Sequence, residues 1–238
     1  MKKLLLFPII AFLASCASTD MSDALQNGRG EIPTHQFSDA DTIEAIRDLK
    51  PQAKPPIKVA VIPPYRWNAV SIEERKVIEK WGEKLKEIGF IKSLEIVPQS
   101  LRPRCNYQAD SSCYLKESRL AGARLGADAI LFLNDSTVTD QYVNPASMLN
   151  LTIVAMWFVP AHHRDSYSIY EASLFDIDNG YLYTIAEGYG EYKTVRPYMY
   201  TDWATGQAKA RIAALEKLGE QLLAMAQDLV TQETSTNN

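Results

Sequence analysis

Histidine and glycine are scarce in this chain, and their scarcity limits the chemistry that it can perform. The 238 residues include three histidines and 11 glycines, so glycine falls below its usual share of about 7%. The sequence has no phosphate-binding loop, no dinucleotide glycine fingerprint and no Gly-x-Ser-x-Gly nucleophile elbow. We therefore predict that the protein is not an enzyme and that it has no catalytic residue, no metal and no cofactor. A Ser-His-Asp triad that assembles only in space is left open.

Positive charge is not in excess, and the apolar run at the amino terminus is short. The chain has 25 Lys and Arg against 29 Asp and Glu, which gives a formal net charge of −4. A nucleic-acid-binding protein would need a basic face, so no nucleic-acid partner is predicted. The run Leu4–Leu13 has ten residues, whereas a helix needs about 20 to cross a bilayer. We interpret it as part of a signal peptide.

The residues that end this run resemble a bacterial lipobox. Two lysines precede the run, and Leu13-Ala14-Ser15-Cys16 follows it. The resemblance implies that residues 1–15 are removed and that Cys16 carries three acyl chains, whereas a single chain would anchor the protein only marginally. Lipoproteins that stay in the inner membrane typically carry Asp directly after this cysteine. Ala17 therefore favours the outer membrane, with the protein on its inner leaflet and facing the periplasm. An ordinary signal peptide cleaved near Ala17 is the alternative.

The two remaining cysteines, Cys105 and Cys113, are separated by the short polar loop "NYQADSS". In an oxidising compartment such a pair favours a disulfide, which would stabilise the fold by about 2–3 kcal/mol. A redox-active pair usually has the spacing C-x-x-C, and no histidine lies nearby to complete a metal site. We therefore predict a structural disulfide.

Changes in composition divide the chain after the predicted signal peptide into three parts. Residues 16–56 are predicted to be a lipidated tether with one short helix, which Ser38 or Asp39 caps and which the proline-rich "KPQAKPP" ends. Residues 57–230 form a single domain. Residues 231–238 are predicted to be a flexible tail.

The first half of the domain alternates strands and helices. Ser71 and Glu74 have the spacing of a capping box, and Gly89 and Gly126 are natural helix ends. Buried strands are indicated by continuous apolar runs. The predicted order is strand Ile57–Pro64, helix Ser71–Gly89, strand Ser93–Leu101, helix Ser112–Leu125 and strand Asp128–Asp135. This βαβαβ order requires parallel or mixed pairing.

The second half is predicted to add antiparallel hairpins and a long final helix. Ser147–Val159 is rich in β-formers and predicts a strand, and Asp178-Asn179-Gly180 predicts a hairpin turn. Gly188 and Gly190 indicate a bulge or a close approach of another backbone. One side of this final helix carries an apolar stripe, which is predicted to cover the sheet or otherwise to form the interface of a dimer. The stripe consists of Ile212, Leu215, Leu218, Leu222, Met225 and Leu229. The fold class is therefore α/β, with a mixed sheet and helices mainly on one face.

Two segments of the domain resemble a group of bacterial envelope proteins. "VAVIPP" (Val59–Pro64) and "ARLGADAILFLN" (Ala123–Asn134) match an opening strand, and a helix leading into a buried strand, in that group. It includes the amino-terminal domain of the Tol-Pal translocation protein, the curli-secretion lipoprotein and the lipoprotein activators of penicillin-binding proteins. With its lipobox and tether, the chain most resembles the rhombotarget lipoproteins.

The resemblance implies a non-enzymatic adaptor or assembly lipoprotein that faces the periplasm. The curli-secretion lipoprotein has long pore-forming hairpins. Here the runs at 147–159 and 167–192 are expected to continue the core sheet, and charged residues lie between them and within the second run. A pore is therefore not expected.

Two clusters of side chains are candidates for function. His162 and His163 are expected on an exposed hairpin turn, with metal binding as the weaker reading because adjacent strand residues point to opposite faces. A tyrosine-rich segment is a candidate partner-contact patch, since Tyr, Trp and Arg are enriched in interfaces; sheet packing is the alternative. The patch comprises Tyr183, Tyr189, Tyr192, Arg196, Tyr198, Tyr200 and Trp203.

These observations together predict a lipid-anchored outer-membrane protein that binds an envelope protein partner, with its oligomeric state left open. The second hypothesis is a periplasmic binder or hydrolase of a small molecule or glycan. An apolar pocket that holds His162 or His163 together with carboxylates would support that hypothesis, and full exposure of both histidines on a turn would contradict it.

Overall fold

The computed structural model describes residues 42–64, 70–103, 113–200 and 202–236. The predicted signal peptide, the lipidated Cys16 and the first part of the tether lie outside these residues, as does Cys105. For Trp203 and residues 232–236, only the backbone is described.

The secondary structure follows the predicted βαβαβ order and then two long antiparallel strands. In chain order the elements are α1 (Ile43–Asp48), β1 (Ile57–Ile62), α2 (Ile72–Glu87), β2 (Ile91–Ile96), α3 (Cys113–Arg124), β3 (Ala129–Val143), α4 (Ala155–Phe158), β4 (His162–Asp176), β5 (Leu182–Arg196) and α5 (Trp203–Thr236). Short 3₁₀ helices occur at Gln99–Leu101, Pro145–Leu151 and Tyr198–Tyr200. Because α5 continues to Thr236, residues 231–236 of the expected tail are helical.

The described strands form one mixed sheet in the order β2-β1-β3-β4-β5. β1 is parallel to β2 and β3, whereas β4 is antiparallel to β3 and β5. β1 pairs only with residues 129–132 of β3. The rest of β3 therefore projects beyond β1 together with β4 and β5. Over their full length of 15 residues each, β3, β4 and β5 form a three-stranded ribbon roughly 50 Å long. The mixed α/β fold predicted from the sequence is confirmed.

Helices pack on both faces of the sheet. One apolar cluster joins α2 and α5 to the sheet through Trp81, Leu131 and Leu218. The other lies beneath α3 and includes Tyr114 and Phe132. Of the three long helices in the described ranges, α2 and α5 therefore share a face, and α3 takes the opposite one.

α5 lies along the ribbon because two glycines of β5 leave room for its backbone. A Cβ atom on Gly188 would lie 2.2 Å from the carbonyl oxygen of Ala214, and one on Gly190 would lie 2.2 Å from that of Ala210. The predicted close approach is confirmed, whereas the register irregularity between β4 and β5 lies elsewhere, at Leu174/Phe175. With 34 residues, α5 is about 51 Å long, which matches the ribbon that it supports.

A buried carboxylate ties α2 to the ribbon and to α5. The predicted capping box is present, with Ser71 and Glu74 bonded to each other's backbone. The same Glu74 side chain accepts hydrogen bonds from the Tyr170 hydroxyl at 3.0 Å and from Arg211 Nε at 3.1 Å. Three elements that are distant in sequence therefore meet at one ion pair, which leaves the Glu74 side chain only 2% exposed.

The strand predicted at Ser147–Val159 is wrong. This segment forms the 3₁₀ helix Pro145–Leu151 and the short helix α4. It connects β3 to β4 at the end of the ribbon, where β1 and β2 do not reach and provide no partner strand. Its β-forming residues have no ladder to join, and local helical turns satisfy its backbone instead.

Candidate interaction surfaces

The two ends of the ribbon differ in character. The β4–β5 turn forms the proximal end, where the linker Lys50–Ala53 is held by Asp176 and Asn179. The β3–β4 connection forms the distal end. Hydrogen bonds occupy the proximal end, whereas the distal end carries exposed apolar side chains.

The distal connection from Pro145 to Phe158 is named here the apolar tip. It lies within the uncharged stretch Asn144–Ala161. Its exposed large apolar side chains are Met148, Leu149, Leu151, Ile153, Val154, Trp157 and Phe158. Monomeric soluble proteins rarely expose contiguous apolar patches larger than a few hundred Å². The sequence did carry a signal for this surface, because an uncharged stretch of this kind occurs at the point where the strand was predicted.

Asparagine side chains hold the base of the apolar tip in place. Asn144 Oδ1 accepts a hydrogen bond from the Ala146 amide at 3.0 Å, and its Nδ2 donates to the Pro160 carbonyl at 3.2 Å. The Asn144 amide donates to the Ala161 carbonyl at 3.0 Å and closes the connection. The tip is therefore anchored by specific hydrogen bonds at both of its ends.

The expected exposed turn at His162 and His163 is wrong, since both residues begin β4 and are half-buried. His163 stacks on Tyr142 with 4.6 Å between ring centroids and lies 3.3 Å from Asn144 Nδ2. His162 Nε2 lies 3.2 Å from Asn150 Nδ2. The two histidines thus contact asparagines at the start and middle of the tip connection, which gives them a supporting role there.

Carboxylates near these histidines have other partners. Asp165 Oδ2, on the same face as His163, accepts a hydrogen bond from the Tyr142 hydroxyl at 3.2 Å. Within the described ranges, no three His, Cys, Asp or Glu side chains are grouped so that they could hold a metal ion. An apolar pocket among the described residues lies elsewhere, between the sheet, α2 and the end of α5, and is lined by Trp81, Leu131 and Met225 among others. The histidines and this pocket are therefore not brought together.

Tyr183 lies at the proximal end of the ribbon, far from the other members of the predicted patch. Its hydroxyl donates to Asp176 Oδ2 at 2.5 Å and accepts from the Ala53 amide at 3.0 Å. Burial and the bond to Asp176 raise the pKa of Tyr183 to about 12. Burial alone would raise the pKa of Asp176, but hydrogen bonds from Tyr183 and from the Gln52 amide hold it below its ordinary value. This tyrosine holds the linker against the domain.

Tyr189 and Tyr192 lie on opposite faces of β5. Tyr189 is exposed, and its hydroxyl donates to Glu187 at 2.7 Å. Tyr192 faces α5, where Lys209 Nζ lies 3.1 Å from the hydroxyl and 4.5 Å from the ring centroid. The hydrogen bond from Lys209 lowers the pKa of Tyr192. Only Tyr189 of these two points away from the helix.

Tyr198 and Tyr200 border the apolar tip. Both are exposed, and together with Met199 they form the 3₁₀ turn after β5. Tyr200 meets Trp157 of the tip edge-on at 5.9 Å, and the Tyr198 ring lies 5.1 Å from that of His162. Arg196 ends β5 opposite His162. The predicted patch is therefore divided into separate regions, and its last part joins the tip.

A second apolar surface runs along β5, which is an edge strand of the sheet. On the face opposite α5, the exposed side chains Ile185, Tyr189 and Val195 alternate with charged residues. We name these three residues the outer face of β5. Lys193, which pairs with Glu191 at 3.1 Å, is typical of edge strands that resist uncontrolled pairing.

Cys113, the first residue of α3, takes part in a disulfide. Its other cysteine lies outside the described residues, so the pairing with Cys105 stays a prediction. None of the described helices is both long and apolar enough to cross a membrane.

Comparisons with known proteins give similarity of structure at low sequence identity. No family model and no curated protein matches the chain. Among solved structures, a neuraminyllactose-binding hemagglutinin homologue from Helicobacter pylori has a TM-score of 0.40 and 11% identity, covering 79% of this chain and 95% of that chain. Lipoprotein GNA1162 from Neisseria meningitidis has a TM-score of 0.31 and 12% identity, covering 76% and 99%.

A leucine-to-methionine variant of the PelC dodecamer from Paraburkholderia phytofirmans has a TM-score of 0.28 and 10% identity, covering 68% of this chain and 88% of that chain. At TM-scores below 0.5, these three proteins assign neither a family nor a function to this chain.

Proposed function

We propose that this protein is a lipid-anchored envelope protein that faces the periplasm and works by binding a protein partner. In this proposal, the lipid on Cys16 holds the chain at the inner leaflet of the outer membrane. A disulfide between Cys105 and Cys113 fits the same oxidising compartment. The proposal includes no catalytic step, no metal and no cofactor.

The observation that carries the proposal is the outer face of β5. Ile185, Tyr189 and Val195 are exposed along one edge strand. Tyrosine is enriched in protein interfaces. Part of the backbone edge of β5 is covered, because the Glu187 amide donates to Gln221 Oε1 of α5 at 2.9 Å, so the side chains of the outer face offer the contact.

The shape of the ribbon supports binding because α5 makes it stiff. Backbone contacts at Gly188 and Gly190 fix α5 against β5, and the ion pair at Glu74 fixes α5 to α2. A surface held by packed elements loses little conformational entropy on binding. The contacts of His162 and His163 with asparagines favour this proposal over a hydrolase.

The test is site-specific photocrosslinking in cells that carry the full-length lipidated protein. A photoreactive amino acid replaces Tyr189 in one variant and Leu120 of α3, a similarly exposed apolar residue, in the matched control. We expect a crosslinked envelope protein at Tyr189 that is absent at Leu120 and that is lost when Ile185→Asp is added. Equal crosslinking at both positions, or none at Tyr189, would refute the proposal.

A further inference from the structure

The apolar tip has no role in the binding surface proposed above. From its exposure and chemistry we propose that the tip inserts into the interfacial region of a lipid bilayer, between the headgroups and the hydrocarbon. The protein then has a membrane contact of its own, separate from the lipid on Cys16.

The shape of the tip favours lipid over a folded protein. Leu151 is 91% exposed, Ile153 79% and Phe158 75%. Side chains are exposed to this extent when they project from a protrusion, rather than when they form one apolar stripe on a flat surface. A folded partner would have to surround the protrusion, whereas a bilayer surrounds any inserted side chain. The stretch Asn144–Ala161 has no charge that would oppose transfer to an apolar medium.

The backbone of the tip is also suited to lipid, where polar groups must be satisfied internally. Its turns are closed by hydrogen bonds from Thr152 to Leu149, from Ala155 to Thr152 and from Val159 to Ala155, at 3.1, 3.1 and 2.8 Å. The Thr152 hydroxyl also donates to the Leu149 carbonyl at 3.1 Å. A β-hairpin in the same place would present unpaired edges.

The border of the tip has the composition of a membrane interface. Trp157, Tyr198 and Tyr200 lie where the tip meets the ribbon, and Trp and Tyr are enriched at the level of lipid headgroups. Arg196 ends β5 beside them, opposite His162. A guanidinium group at that level is complementary to lipid phosphates.

The tether is long enough for the tip and the lipid to share one bilayer. The linker is held at the proximal end of the ribbon by Asp176, about 50 Å from the tip along strands of 15 residues. From Cys16 to Thr42 there are 42 − 16 = 26 residues, which span up to about 86 Å when extended. The ribbon can therefore lie along the membrane that holds the lipid.

The test measures the surroundings of the tip in the lipidated full-length protein. A thiol introduced by Val154→Cys is labelled with the environment-sensitive fluorophore NBD, and Ile72→Cys is the matched control. Both native side chains are aliphatic and 69% exposed, but Ile72 begins α2 beside glutamates. The vesicles contain phosphatidylethanolamine and phosphatidylglycerol, and co-sedimentation measures attachment through Cys16 separately.

We expect NBD emission at Val154 to shift to the blue on vesicle addition and to be quenched by lipids brominated near the headgroup. Emission at Ile72 should stay that of an aqueous site. Adding Leu151→Asp should weaken the response at Val154 roughly tenfold or more, because burial of one such side chain favours transfer by at least that factor. Co-sedimentation should not change.

Aqueous emission at both positions in vesicles would overturn the proposal. A blue shift at Val154 that needs no vesicles and rises with protein concentration would assign the tip to a second copy of the chain and would also overturn it. Co-sedimentation that is lost when Leu151→Asp is added would show that the tip, and not a lipid on Cys16, holds the protein on the vesicles; it would refute the lipid on Cys16 and leave the tip proposal supported.

Discussion

Replacing Gly190 with alanine should loosen α5 from the ribbon. The new Cβ would lie 2.2 Å from the Ala210 carbonyl oxygen and 2.3 Å from the Ala214 amide nitrogen, whereas a carbon and an oxygen in contact lie about 3.3 Å apart. Both atoms belong to the backbone of α5, so the helix itself must move by about 1 Å. Overpacking of this kind costs about 1–3 kcal/mol, and we expect the upper part of that range because no flexible side chain can yield.

Alanine also favours the strand conformation over glycine by roughly 0.5–1 kcal/mol, so the net loss of stability should be about 2 kcal/mol. With a urea m-value of about 2 kcal/mol/M, the unfolding midpoint should fall by about 1 M. Circular dichroism measures this transition.

Gly82→Ala in α2 is the matched control for Gly190→Ala. Its Cβ would lie 3.3 Å from the end of the Leu94 side chain, which can shift, and alanine is favoured over glycine in a helix by about 1 kcal/mol. We expect its midpoint to stay the same or rise. If the midpoint of Gly190→Ala were as high as that of the wild type, the close packing of α5 on β5 would be refuted.

Three further perturbations follow from the same contacts. Glu74→Ala should lower the free energy of unfolding by about 3 kcal/mol, since it leaves a cation without its buried partner; a loss below 1 kcal/mol in urea would contradict this. The pKa of Asp176 is lowered in the fold, so its stabilisation should be present above its unfolded pKa of about 3.9 and be lost as pH falls through the folded value. Thermal unfolding from pH 2 to 6 should show this fall, and less of it in Tyr183→Phe; an equal fall in both would exclude the hydrogen bond as its cause. Thiol labelling without reductant should find Cys105 and Cys113 blocked, and two free thiols would remove the predicted bridge.

Much of the fold could be predicted from local patterns. The capping box at Ser71 and Glu74 and the helix end at Gly89 depend on residues a few positions apart, and the structure places α2 within those limits. The paired glycines of β5 indicated that another backbone comes close, but the sequence did not reveal which one. α5 fills that space with Ala210 and Ala214, small residues that the stripe of larger apolar side chains did not include.

The distal end could not be predicted because β-propensity depends on a partner strand. Ile153, Val154 and Trp157 favour strands, yet the connection passes beyond the edge of β1 and has none to join. The roles of His162 and His163 depend on asparagines that precede them by 12 and 19 positions. Only the three-dimensional arrangement shows that these histidines support the tip.

Intact-mass spectrometry of the mature protein from its native membrane tests the central claim, which is the lipid anchor. We predict that the mature chain begins at Cys16 and carries a diacylglycerol thioether and an amide-linked acyl chain, and that Cys16→Ala removes these masses and leaves the protein soluble or stalled. A mature chain that begins near Ala17, or that retains an unmodified Cys16, would contradict the account.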